Sequence, residues 1–249
     1  MGVKMSIVFK LVKRIIIAIF FAIVFGVIGL LIWRMTASDA PKSMEPLDAN
    51  AALCEAYEQE GDELYMFRQE QRSITSSEEN YGYFAITDYA IIPDANQIQT
   101  VVRYNNSTLR HTAEDYGLSE PPSRDEEVYD VTLLFAIDLT PDDKEDNLGN
   151  DEGSVNFIRC HGEVTLTAQK NLYNFRRIVF ELDDAEINIS ELLDSELLLA
   201  IYADFYYNGA IDYEAEPYGT LCIYDFKSAN IPVKLEKHDV KAIQAFEDN

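Results

Sequence analysis

The sequence contains few positively charged residues. It has 20 Lys and Arg residues against 44 Asp and Glu residues, which gives a formal net charge of −24 at pH 7. Five of the basic residues and none of the acidic residues fall within residues 1–34, so the rest of the chain has 15 basic against 44 acidic residues, a formal charge of −29. A surface of this charge repels phosphate backbones and anionic lipids. We therefore expect no nucleic-acid partner.

The sequence also lacks the motifs that mark catalytic sites. It contains no G-x-S-x-G, no H-E-x-x-H and no phosphate-binding loop. Its three histidines, His111, His161 and His238, fall in different predicted elements. Carboxylate pairs such as Asp183-Asp184 are unavoidable in so acidic a chain and do not indicate a glycosidase. The sequence predicts no catalytic residue and no cofactor, and it favours a protein that is not an enzyme, although a site assembled from distant residues stays open.

Cysteine is rare as well, with Cys54, Cys160 and Cys222 as the three examples. Cys160 and Cys222 each share a strand face with apolar neighbours, which predicts that both point into the core. A disulfide that joins two sheets through Cys160 and Cys222 is one interpretation, because both residues would lie where disulfides persist. Two buried free thiols are the alternative, since cysteine is often buried as a small apolar residue. Cys54 is left over and could bridge two chains.

One acidic segment is the best candidate for a metal site. Residues 142–153 are rich in Asp, Glu and Asn, and calcium takes six to eight oxygen ligands. Counted from Asp143, however, the sixth position of a calcium loop is Leu148, where glycine is needed. The neighbours Cys160 and His161 have no second ligand pair at zinc spacing. We therefore expect no metal site, and we interpret residues 142–153 as a solvated connection between two strands.

One long apolar run stands out against this acidic background. Ile15–Trp33 is a stretch of 19 residues without a charged or strongly polar side chain. As a helix it would be about 28 Å long, close to the hydrocarbon thickness of a bilayer, about 30 Å. Backbone polar groups in lipid must be satisfied within the segment, so a lone spanning segment has to be helical. We predict that residues 15–34 anchor the chain in a membrane.

The flanking charges predict an orientation. Four basic residues and no acidic residue precede the run, whereas Arg34 is followed by Asp39 and Glu45. Because cytoplasmic flanks collect Lys and Arg, we expect a single-pass protein of the cell membrane with a cytoplasmic N-terminus and an extracytoplasmic C-terminal domain. A signal peptide cleaved near Thr36-Ala37-Ser38 is the alternative, but its apolar region would be shorter, about 7–15 residues.

Composition and periodicity divide the chain into five segments. These are a basic cytoplasmic tail (1–14), a transmembrane helix (15–34), a stalk with a membrane-proximal helix (35–61), a β-sandwich (62–228) and a C-terminal tail with a short helix (229–249). In the third segment, apolar residues recur near helical spacing between Pro46 and Gly61. This stripe is narrow, so we expect the helix to pack on its own sandwich and the protein to be a monomer.

The large segment is dominated by period-2 alternation, the signature of half-buried strands. About eight such runs follow one another, the clearest being Gln97–Asn105, Val131–Leu139 and Leu197–Tyr207. A bend is expected at Gly162, and Ser190–Ser195 is expected to form a short helix that crosses between two sheets. These patterns predict a mainly β fold, an antiparallel β-sandwich.

The predicted ectodomain resembles the immunoglobulin-like sandwiches of extracellular proteins at the level of architecture. True immunoglobulin domains pack a core tryptophan against an inter-sheet disulfide, whereas the single tryptophan here is Trp33, in the apolar run. No functional residue is therefore carried over from that family. Outside the strands we expect a long polar loop at Arg110–Glu127 and a terminal helix at Val240–Phe246.

Tyrosines cluster near the end of the predicted sandwich. Tyr206, Tyr207, Tyr213 and Tyr218 lie among Asp and Glu residues. Tyrosines mixed with carboxylates can stack on sugars or anchor a protein partner, although tyrosine is also simply favoured in strands. We interpret the four as a candidate binding patch for a protein or carbohydrate. The sequence thus favours a non-enzymatic binding or scaffolding module of the cell envelope, with a surface-anchored hydrolase that uses a carboxylate-based site as the alternative.

Overall fold

A computed structural model of the chain describes residues 2–37, 39–61, 64–70, 84–138, 155–195, 197–210, 217–225 and 233–234. The chain forms two compact units, Met1–Asp39 and Ala40–Asn249. The acidic segment 142–153 and the expected terminal helix at 240–246 lie outside the described residues.

The first unit is a helix. Helix α1 (Gly2–Ala37) contains the apolar stretch Lys13–Trp33, which is long enough to cross a membrane and none of which is buried. The predicted apolar helix is therefore confirmed. A membrane anchor and a signal sequence share this form, so the topology and orientation stay predictions.

The second unit is built from strands. They are β1 (Tyr65–Glu70), β2 (Phe84–Ile92), β3 (Gln97–Asn105), β4 (Tyr129–Asp138), β5 (Val155–His161), β6 (Glu163–Lys170), β7 (Tyr173–Glu181), β8 (Leu198–Tyr207), β9 (Gly219–Asp225) and β10 (Val233–Lys234). The described strands form one sheet of six, in the order β10-β1-β2-β3-β7-β6, and one sheet of four, in the order β5-β4-β8-β9. All paired strands are antiparallel. The prediction of a mainly β fold with two antiparallel sheets is confirmed.

The chain crosses between the two sheets at short connections. Gly162 alone separates β5, in the four-stranded sheet, from β6, in the six-stranded sheet, which confirms the expected bend. Helix α4 (Ile189–Asp194) lies between β7 and β8 and confirms the expected crossover helix. Both crossings bring their strands onto a common core.

A third connection differs from the prediction. Helix α3 (Asn106–Asp115) follows β3, so the start of the expected polar loop at 110–127 is helical. The helix begins where the Asn105 side chain accepts from the N–H groups of Ser107 and Thr108, at 2.7 and 3.0 Å. The Asn105 N–H in turn donates to the Thr108 hydroxyl oxygen at 3.3 Å, which completes a capping box. This local cap stabilises a helix that has few apolar residues.

The core lies between the two sheets. Apolar side chains alternate along the strands toward this layer, and Phe135, Phe180 and Phe205 have no exposed surface. Complete burial of a large apolar side chain stabilises a fold by about 1.5–3 kcal/mol. This layer therefore supplies the main attraction between the sheets.

A segment before the first strand covers the outer face of the six-stranded sheet. We call residues 40–61 the strap; it contains helix α2 (Ala51–Glu60). Leu47 and Leu53 of the strap are buried in one apolar cluster with Met66 of β1 and Ala90 of β2. The expectation that the membrane-proximal helix packs on its own sandwich is confirmed. Gly61, at a φ of 55° that favours glycine, ends the helix as predicted.

Buried polar side chains of the sheet hydrogen-bond the strap. Gln99 accepts from the Asp48 N–H at 2.7 Å and donates to the Asp48 carbonyl at 2.9 Å. Arg177, whose side chain is 2% exposed, donates to the Met44 carbonyl and lies 4.0 Å from the carboxylate of Asp88. Burial lowers the pKa of Arg177, and the charge of Asp88 opposes that shift. The strap thus satisfies polar groups that would otherwise be buried without partners.

Candidate functional site

The outer face of the four-stranded sheet carries a group of polar side chains. Because alternate residues of β4, β5, β8 and β9 point into the core, the residues between them point outward. We call the outward polar residues the outer-face cluster: Asp130, Thr132, Arg159, His161, Asp204 and Thr220. Strand pairing places Thr132 opposite both His161 and Asp204, and it places Asp204 opposite Thr220. The register therefore brings residues from four strands together.

Thr132 is the centre of this cluster. Its hydroxyl donates to Asp130 Oδ2 at 3.2 Å and lies 3.2 Å from His161 Nδ1. A threonine hydroxyl has one proton, so its donation to Asp130 requires the tautomer of His161 that carries a proton on Nδ1. His161 Nδ1 is also 3.8 Å from Asp130 Oδ2, and the imidazole side chain is 57% exposed.

This geometry differs from a nucleophilic triad. In a triad the hydroxyl meets one imidazole nitrogen and the carboxylate meets the other. Here Thr132 and Asp130 both face Nδ1 of His161, so the imidazole cannot take the hydroxyl proton while the carboxylate orients it. The arrangement is suited to holding the three side chains in place rather than to activating Thr132.

Asp204 is the buried carboxylate of the cluster. It is 4% exposed, and Thr220 donates to its Oδ1 at 2.7 Å. Burial raises the pKa of Asp204, while the bond from Thr220 and the charge of Arg159 oppose the rise. Asp130 lies diagonally across the β4–β8 pair from Asp204, because Asp130 pairs with Tyr206 and Asp204 pairs with Thr132. The face thus holds two carboxylates in different environments.

Of the four predicted tyrosines, the three that the structure describes do not share one face. Tyr206 lies on the outer face and is 4% exposed, and burial raises its pKa. Tyr207 and Tyr218 lie instead at one end of the sandwich, with ring centroids 4.7 and 6.0 Å from that of Tyr116. Tyr213 is outside the described residues. Whether any of these tyrosines binds a ligand stays a prediction.

The hydroxyl of Tyr218 is fixed by an acidic neighbour. It donates to Asp115 Oδ2 at 3.0 Å. Burial raises the pKa of Tyr116, and the charge of Asp115 adds to that rise. Asp115 ends α3, Tyr116 follows that helix and Tyr218 precedes β9, so the sequence offered no signal that joins them to Tyr207.

The interpretation of Cys160 and Cys222 as an inter-sheet disulfide is wrong. The two cysteines form no disulfide and lie in the same sheet, on β5 and β9, which are separated by β4 and β8. Three strand spacings of about 4.8 Å place them about 14 Å apart, whereas bridged Cα atoms lie within about 7 Å. Cys160 points into the core, where burial raises its pKa to about 11, but Cys222 lies opposite Tyr202 on the outer face.

Two clefts in the described part of the chain carry carboxylates, and neither of them is lined by a histidine. A cleft of about 410 Å³ beside Asp94, Asn96 and Asp183 and a cleft of about 310 Å³ beside Ile158 and Leu192 are both open to solvent. No group of three or more His, Cys, Asp or Glu residues in the described part of the chain is placed to hold a metal ion. The outer-face cluster is therefore the best candidate for a functional site.

Comparison with known proteins does not extend this assignment. No protein-family model, no curated protein and no solved structure matches the chain.

Proposed function

We propose that this protein is a single-pass, membrane-anchored extracytoplasmic module, immunoglobulin-like in architecture, that binds a ligand without chemical conversion. We further propose that the outer face of the four-stranded sheet is its recognition surface. The observation that carries the proposal is the difference between the two outer faces. The strap covers the face of the six-stranded sheet, whereas the other face presents exposed Arg159 and His161.

The chemistry of this face suits a carbohydrate of the cell envelope. Arg159 and His161 supply hydrogen-bond donors, and the half-buried carboxylate of Asp130 supplies acceptors. The partly exposed ring of Tyr202 lies in the same cross-strand row as Arg159, with Leu134 between them. An aromatic ring beside donors and acceptors can stack on a sugar ring while its hydroxyls are hydrogen-bonded.

Binding of the full-length protein in detergent to an array of neutral and acidic glycans tests this proposal. Tyr202→Ala and Arg159→Ala should each weaken binding of the captured glycan by at least tenfold, about 1.4 kcal/mol. Tyr116→Ala removes a similarly exposed ring at the end of the sandwich and serves as the matched control. Loss of binding in Tyr116→Ala alone would move the site to the tyrosine end, and no glycan binding by wild type would refute a carbohydrate ligand.

The proposed orientation has its own test. Protease added to intact cells should digest the chain beyond about residue 40 and spare the N-terminus, because the sandwich is proposed to lie outside. Protection of the sandwich in intact cells, with digestion after lysis, would contradict the orientation.

A surface hydrolase is the second candidate function. Its support is the buried Asp204 carboxyl with a raised pKa on the same face as Asp130. Hydrolysis of chromogenic glycosides by wild type, and its loss in Asp204→Asn, would favour this candidate over a binding module.

A further inference from the structure

Among the described strands, β5 is an edge that lacks the usual protection against pairing. It pairs with β4 on one side and with no described strand on the other. The other sheet edges differ: β6 and β9 each contain a register shift, and β10 is two residues long. Strand β5 has seven residues in unbroken register, with no proline and no acidic residue. Such an edge is a template for another strand.

The outward side chains of β5 are apolar and basic. Val155 is 41% exposed and Phe157 is 55% exposed, and Arg159 follows two residues later on the same face. Strand β5 itself contains Arg159 and no acidic residue, in a body that is otherwise strongly acidic. Two copies of this chain repel each other through their acidic surfaces, and a contact between two β5 strands adds no pair of carboxylates to that repulsion.

We propose that two copies of this chain pair through β5, in antiparallel orientation, to form one continuous eight-stranded sheet. Full overlap of Val155–His161 with itself centres the pair on Ile158. That register places Phe157 of each copy opposite Arg159 of the second copy, twice. A guanidinium beside an aromatic ring is a favourable cross-strand pair. The strand is therefore complementary to itself.

This pairing closes on itself. The same patch is used by both copies, so the contact is a twofold one and adds no further subunit. It is independent of the membrane-proximal helix, which packs on its own sheet. It also joins the outer faces of two four-stranded sheets, but it does not depend on what those faces bind.

The mass of the full-length protein in detergent, measured by sedimentation with the detergent contribution subtracted, tests the proposal. We expect a dimer for wild type and a monomer for Phe157→Lys, because the introduced lysine faces Arg159 of the second copy. The expected weakening of the dimer Kd is at least about tenfold. Leu172→Lys is the matched control, since Leu172 is 59% exposed at the β6–β7 turn, and it should remain a dimer.

A double variant tests the register. In Phe157→Lys/Arg159→Glu the opposed side chains carry opposite charges, so the dimer should return. A monomeric wild type, a dimer that Phe157→Lys leaves intact, or a double variant that stays monomeric would each overturn the proposal. Circular dichroism of every variant shows whether a change in mass comes with a loss of the β-sheet signal. Recovery of the dimer in the double variant excludes misfolding as the reason why Phe157→Lys is a monomer.

Discussion

Gly162 gives the sharpest test of how tightly the two sheets are joined. A Cβ added at this position would overlap Cγ2 of Ile178 and would lie 2.5 Å from Cε1 of Phe180. Both side chains are at most 1% exposed, so neither can move into solvent. Overpacking of a core costs about 1–3 kcal/mol, and the loss of unfolded-state freedom on Gly→Ala offsets about 0.4–1 kcal/mol. We expect Gly162→Ala to destabilise the fold by about 2 kcal/mol.

Thermal unfolding of the full-length protein, followed by far-ultraviolet circular dichroism, measures this effect. For a domain of this size about 2 kcal/mol corresponds to a fall in Tm of about 4–8 °C. Gly219→Ala is the matched control, because a Cβ there would meet Phe84 at 3.3 Å, a distance that a small shift relieves. Equal falls in Tm for Gly162→Ala and Gly219→Ala would refute the packing argument.

Three further predictions concern buried polar groups and thiols. Arg177→Met should destabilise the protein by about 3 kcal/mol and speed hydrogen exchange in the strap, because the Met44 carbonyl loses its buried donor; unchanged exchange would contradict this role. Asp204→Asn should be more stable than wild type at about pH 7, with the difference shrinking toward about pH 4. The reason is that the pKa of Asp204 is raised in the folded state, so the wild-type protein loses stability as the pH rises through that pKa. Urea unfolding at several pH values measures the difference between the two proteins. If the protein is unfolded without reductant and then alkylated, all three cysteines should be modified. A mass that shows one modified cysteine would instead support the Cys160–Cys222 disulfide.

The strands could be predicted because the alternation of apolar and polar residues is a property of each strand by itself. The segments that pack against each strand could not be predicted in this way. Gln97–Asn105 was predicted as a strand with those bounds, and it forms β3. Its polar face was expected to meet solvent, yet Gln97 and Gln99 are 0% and 1% exposed. The strap covers Gln99 with the backbone of Asp48 and Gln97 with the side chain of Asn50. Neither partner can be recognised from the apolar–polar pattern of β3. The cover could therefore not be read from β3 itself.

The candidate site was less predictable than the strands. Asp130 and Thr132 occupy outward positions of β4, which the alternation indicates. Their contact with His161, however, depends on the register between β4 and β5, and the sequence between those strands contains no short turn that fixes a register. The helix α3 was missed for a different reason: its start is determined by the Asn105–Thr108 cap rather than by apolar spacing.

The strap also determines how mechanical force would enter the sandwich. A pull on the chain before Ala40 reaches β1 only after it has passed along residues 40–61, so the side-chain bonds from Gln99 and Arg177 are stretched before any strand is. If those bonds break first, the 22 residues of the strap are released while both sheets stay intact. At about 3.5 Å per extended residue, the released segment lengthens the chain by at most about 75 Å. Release of the strap would therefore lengthen the chain under tension before either sheet is loaded.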